Sequence, residues 1–218
     1  MTHIENIKTL LKQIFVSKKL WSCILIAIVP AMLFYSLSLI GLRSLGFETM
    51  EILRDPAQQS GASSFLGFLS NIGIWFWISS AAISFFTILT SASVIKKNFK
   101  ELFFLTGMLS LLLAIDDFFL IHDRYVHQNI CYLTYAVFLG CLFIRHFKMI
   151  IAIEGFAFLT AGIFLGLSIF TDLVQSEVPL GYVDVQIIEE GFKFIGAATW
   201  LYFIGRAASS PFIFLQKR

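Results

Sequence analysis

The chain has 218 residues, of which 58% are hydrophobic and only 14% charged, with a net charge of +2 and a mean hydropathy of +0.83. A soluble domain is nearer a quarter charged, so this composition points to an integral membrane protein with no room for a second, soluble domain. Lys and Arg are spread over short loops rather than gathered in a patch, which leaves no electrostatic footprint for DNA or RNA.

Apolar runs approaching or exceeding the ~18 to 20 residues that cross a bilayer predict an all-α polytopic bundle, not the alternating strands of a barrel. Residues 1–19 are expected to form an amphipathic helix on the cytoplasmic membrane surface, since Ile4, Ile7, Leu11, Ile14 and Phe15 recur at helical spacing opposite Glu5, Lys8, Lys12 and Gln13. Residues 20–218 are expected to form a single transmembrane domain of about six helices. The first span, Trp21 to Leu42, carries Pro30 in its middle, which predicts a kink. A polar segment follows, in which Phe47, Met50 and Leu53 are spaced for a short interfacial helix.

The second span, Phe65 to Val94, places Ser70, Gly73, Ser80, Ser84, Thr87 and Ser91 close to one face, as expected where membrane helices touch. The third runs from Leu102 to Ile121, the fourth from Ile130 to Ile144 and the fifth from Met149 to Phe170. Gly162 and Gly166 give the fifth a Gly-x-x-x-Gly contact face. The sixth runs from Val185 to Ile204. Lys96, Lys97 and Lys100 mark one short basic loop, and Arg145 and Lys148 another. With the tail residues Arg206, Lys217 and Arg218, they place both termini in the cytoplasm of an inner membrane by the positive-inside rule. Cys23, Cys131 and Cys141 define no disulfide framework.

Two stretches interrupt this apolar pattern. Ile115-Asp116-Asp117-Phe118-Phe119-Leu120-Ile121-His122-Asp123-Arg124 continues the third span without a turn residue, and Ile187-Ile188-Glu189-Glu190-Gly191-Phe192-Lys193-Phe194 lies inside the sixth. Counting along each helix from its cytoplasmic end at about 1.5 Å per residue, Asp116 lies roughly 22 Å and Glu190 roughly 24 Å outward, so the two acidic pairs share a depth. Asp172, His122 and Asp123 cap that layer at the outer interface. Asp116 and Asp123 are seven apart and would share a face of a continuous helix, Asp117 would share one with Ser110 and Thr106, and Lys193 stands within one turn of both Glu189 and Glu190.

Charged groups at such depth are expensive and tend to be functional. One histidine among carboxylates is the donor set of a hard or borderline divalent cation such as Zn, Mg, Mn, Ca or Fe, with Asp116, Asp117, His122, Asp123, Asp172, Glu189 and Glu190 as candidate ligands. Asp117 and Glu190 are the candidate catalytic carboxylates, and Lys193 and Arg124 the groups that balance charge. A metal-activated water attacking an ester, amide or phosphate would make the protein a membrane hydrolase acting on a lipid or lipid-linked substrate at the outer side. The same carboxylates would also serve a cation or proton transporter or channel moving a small ion, and a membrane protein with purely structural interfacial acids is the third reading.

Glu189-Glu190-x-x-Lys193 resembles the Glu-Glu-x-x-Lys element of glutamic intramembrane proteases, and Phe118-x-x-x-His122 resembles the Phe-x-x-x-His element of the CAAX-processing group. The two elements stand here in reversed order and only 28 residues follow Glu190, so no protease assignment is carried over.

Overall fold

The computed structural model describes residues 17–54, 65–90 and 97–210, and all regular structure among them is helical. The expected amphipathic N-terminal helix falls mostly outside the described residues, as do Lys96, Lys217 and Arg218. Four described helices are long and apolar enough to cross a membrane: Lys19–Ser44, Phe68–Thr90, Lys97–Phe119 and Gln128–Val174. Their outer surfaces are greasy, with Ile26, Leu37, Ile40, Trp75, Phe86, Leu89 and Ile144 all exposed, as suits a chain whose solvent is lipid.

The first long helix is built from α1 (Ser17–Cys23), a π-helical turn (Ile24–Ile28) and α2 (Val29–Ser44). Pro30 has no N–H to donate backward, and the chain absorbs the defect by widening the preceding turn, where Val29 N–H reaches Ile24 O. The expected proline kink is thus realised as a π-bulge. The interfacial helix α3 (Thr49–Leu53) is closed by a capping box in which Glu48 and Glu51 satisfy each other's backbone N–H groups.

Helices α4 (Phe68–Thr90) and α5 (Lys97–Phe119) pack closely where a Cβ on Gly107 would stand 3.0 Å from the Phe85 ring and 3.1 Å from Ser84 Cβ. Ser80, Ser84 and Thr87 are buried on that side of α4, so this part of the small-residue stripe is a packing face. After α5 comes α6 (Ile121–Arg124), then α7 (Gln128–Val174) and α8 (Tyr182–Ala208).

The 47-residue α7 is a hairpin, not a rod. His146 (φ −112°, ψ 16°) and Glu154 (φ −157°, ψ 68°) leave helical geometry, and the limbs on either side run back past each other. Phe143 stacks on Phe158 at 5.5 Å, and at the far end Tyr132 donates to Asp172 at 2.7 Å. The expected loop around Arg145 and Lys148 is therefore helical, with Arg145 paired to Glu101 of α5. At the second break Lys19 Nζ reaches the Ala152 and Ile153 carbonyls at 2.9 and 3.1 Å, capping backbone acceptors freed where the helix breaks.

Helix α8 lies against α7, α4, α2 and α3. A Cβ on Gly196 would stand 2.9 Å from Leu165, so α7 and α8 approach tightly at Gly196. Gly162 meets only Leu139, at an ordinary 3.5 Å, and nothing lies within 4 Å of a Cβ on Gly166. The Gly-x-x-x-Gly motif thus makes no tight helix contact. It borders a cavity.

Candidate functional site

Both interrupting stretches converge at one end of the bundle. The decisive local feature is Leu120, the one non-glycine among the described residues with a positive φ (φ 55°, ψ 45°). A leucine held left-handed is strained by about 1 to 2 kcal/mol. It ends α5 and folds the next turn back on it, so α6 does not extend the helix. Asp116 and Asp123 consequently do not share a helix face, because the α-helix on which that spacing relies stops at Phe119.

The reversal brings His122 onto Asp116. Asp116 Oδ1 accepts the His122 backbone N–H at 2.9 Å, and Oδ2 lies 2.8 Å from His122 Nδ1. A carboxylate only accepts, so Nδ1 carries a proton, and in the neutral ring Nε2 keeps its lone pair. Asp116 is 5% exposed. Asp123 Oδ1 stands 3.6 Å from Nε2 on the more open side. Burial pushes the His122 pKa down, but the Asp116 hydrogen bond and charge, with the charge of Asp123, outweigh it against Lys193 and hold the imidazole above its ordinary 6.5.

One turn of chemistry away, Lys193 of α8 is gripped from two helices, with Nζ 2.9 Å from Glu190 and 3.7 Å from Asp117. The Trp77 indole of α4 donates to the other Asp117 oxygen at 3.1 Å. Glu189 accepts from Gln186 at 2.7 Å, and Asp172 from Tyr132 at 2.7 Å and Gln175 at 3.3 Å. The candidate ligands are thereby divided between a dyad with Asp123 beside it, an ion-paired triad and two carboxylates held by neutral donors. Among the described residues no three His, Cys, Asp or Glu side chains group so as to hold a metal ion. Arg124 is exposed on the pocket rim.

These groups surround a polar pocket of about 390 Å³ lined by Asp117, His122, Asp123, Tyr132, Asp172, Glu189, Glu190 and Lys193. Below it, sharing Asp117, His122, Tyr132, Glu189 and Lys193, lies an apolar cavity of about 470 Å³. Sequence reasoning missed Trp77, Tyr132 and Gln186. Tyr132 and Tyr135, one helical turn apart at the start of an apolar span, were the available signal, since buried hydroxyls need partners.

The chain belongs to the family described as Domain of unknown function (DUF8692), whose model matches residues 22–207. No curated protein and no solved structure matches it.

Proposed function

We propose that the protein is a six-span inner-membrane hydrolase, both termini cytoplasmic, acting on an ester or amide of a lipid or lipid-linked substrate from its outer side. The observation that carries this reading is the strained reversal at Leu120, which fixes the His122 imidazole on Asp116 beside a polar pocket. Strain of this kind persists where the surroundings over-determine it and clusters at functional sites. Six spans are supported by the two limbs of α7 and by the 27 residues of α8, enough for about 40 Å of helix.

In this mechanism His122 Nε2 takes a proton from water as the oxygen attacks the substrate carbonyl, then returns it to the leaving alcohol or amine. Asp116 holds the tautomer and balances the imidazolium that forms. Asp117 and Glu190 act through Lys193, fixing its charge where an oxyanion would develop.

Transport is the weaker reading, because a transporter must wet the opposite half of the bundle. There Ser84 meets Thr106 at 3.3 Å and Trp200 donates to Ser110 at 2.8 Å, and all three hydroxyl groups belong to fully buried residues.

The test is mass-spectrometric detection of lipid cleavage by the purified full chain in vesicles of total bacterial-type lipid, with and without EDTA. Cleavage abolished in His122→Gln and insensitive to EDTA is expected. Cleavage lost on chelation and restored by one divalent ion would replace the dyad with a metal mechanism, and ion flux without cleavage would overturn the hydrolase.

A further inference from the structure

The apolar cavity is too large and too well placed to be a packing fault. At about 470 Å³ it falls within the 300 to 1,000 Å³ typical of ligand pockets, whereas cores leave few voids larger than a water molecule. Its walls run down α8 from Glu189 to Trp200 and along both limbs of α7, from Tyr132 to Phe143 and from Phe158 to Ile169. Eleven residues of helical rise make it about 16 Å deep. That is about half of the ~30 Å hydrocarbon core, the reach of one leaflet.

Three features say what fills it. Its top shares Asp117, His122, Tyr132, Glu189 and Lys193 with the polar pocket, so an occupant would be amphipathic, polar at the dyad and apolar below. Its flank carries Ala136, Ile163 and Gly166, which are exposed and so face lipid in a membrane, giving lateral entry between the limbs of α7. Its bore is kept open by Gly140, Gly162 and Gly166: no atom lies within 4 Å of a Cβ at Gly140 or Gly166. Glycine inside a helix is unfavourable, and here no tight helix contact demands it.

We infer that the slot between the two limbs of α7 binds a single acyl chain of a membrane lipid, entering sideways from the bilayer and presenting its head-group linkage to His122. The inference rests on the hydrolase reading for the chemistry at the head but not for the chain. Trp77 lies at the top of the slot beside Asp117 and Trp200 at its floor, each 1% exposed, so both are screened from lipid outside the protein.

The chain has four tryptophans. The two others, Trp21 and Trp75, are exposed on the outer surface. Replacing them and Trp77 by Phe leaves Trp200 as the reporter in the full-length protein. Reconstitution into vesicles of phosphatidylethanolamine and phosphatidylglycerol, brominated either near the head or near the chain end, should quench most Trp200 emission with chain-end bromine and little with head-proximal bromine. Gly166→Leu, at the lateral mouth of the slot, and Gly140→Leu, from the opposite limb, should each remove the quenching while helicity by circular dichroism is kept. Absence of quenching in the parent, or quenching equal at both bromine positions, overturns the acyl slot even if both leucine variants fail to fold. Quenching that survives both folded variants overturns it as well. Chain-end quenching without lipid cleavage sinks the hydrolase and leaves the slot standing, and cleavage without quenching does the reverse.

Discussion

Asp116 engages His122 with both carboxylate oxygens, one on the backbone N–H at 2.9 Å and one on Nδ1 at 2.8 Å. The pairing orients the ring and sets its titration. Because Asp116 and Asp123 hold the His122 pKa above 6.5, the neutral base accumulates only as pH rises through that raised value. Hydrolysis is therefore expected to climb with pH along a limb lying above the ordinary histidine range. Asp116→Asn should move that limb to lower pH and cost about 10²- to 10⁴-fold in rate, the scale of a positioned base. A limb unmoved by Asp116→Asn would assign the titration to another group. The stability linkage runs the opposite way. A raised folded pKa contributes stability that is full below the unfolded value and is lost as pH rises through the folded one, so the dyad's stabilisation fades as the base becomes active.

Leu120→Gly tests the strained turn by setting two effects against each other. Glycine relieves about 1 to 2 kcal/mol of left-handed strain. It also deletes a side chain that is 7% exposed, and removing a buried leucine costs about 2 to 5 kcal/mol. The deletion wins, so net destabilisation of about 1 to 3 kcal/mol is expected by urea unfolding in micelles, with slower hydrolysis because His122 is no longer pinned. A more stable, fully active variant would show that the turn does not position the dyad.

Much of this arrangement was legible in the residues. Apolar run length disclosed the helical membrane bundle, and the spacing of Phe47, Met50 and Leu53 located α3 to within a few positions. Counting helical rise put the two acidic stretches near one another, and Asp116 and Glu190 now line the two adjoining pockets, Asp116 the apolar one and Glu190 the polar one. Three things escaped. The reversal at Leu120 carries no Gly, Asn or Pro to announce it, since tertiary packing of a buried leucine overrides its local preference. The two limbs of α7 were legible as the fourth and fifth spans, but the second break at Glu154 was not, since no proline marks it and its carbonyl cap comes from Lys19 on a distant helix. A glycine motif, finally, reads the same whether its open face meets a helix or a void, and only the position of Leu165 against Gly196 shows which glycine makes the contact.

Lys193 between Asp117 and Glu190 makes a charge prediction. The three side chains are 27%, 13% and 17% exposed, so this is a largely desolvated cluster. Removing one partner of a buried ion pair leaves uncompensated charge and costs about 3 to 5 kcal/mol, whereas replacing both partners costs far less. Lys193→Met should destabilise by roughly that amount, and Lys193→Met with Glu190→Gln should recover part of it. Additive effects in a double-mutant cycle would mean that Glu190 and Lys193 do not form an energetic pair.

The remaining prediction separates enzyme from transporter at a residue far from the dyad. Ser84 is fully buried, lies 3.3 Å from Thr106, and belongs to the face where Gly107 lets α4 and α5 approach. Leucine there would overpack the contact and cost about 1 to 3 kcal/mol. In a hydrolase the damage ends with stability, because the reacting pocket lies at the other end of the bundle, so Ser84→Leu should lower the unfolding midpoint while the rate per folded molecule stays near that of the parent. In a transporter the same side chain would plug the route to the inner face. Proton or cation flux into sealed vesicles, measured with pH- and metal-sensitive dyes, is expected to be absent from both proteins, and a flux present in the parent but blocked by Ser84→Leu would move the protein to the transport class.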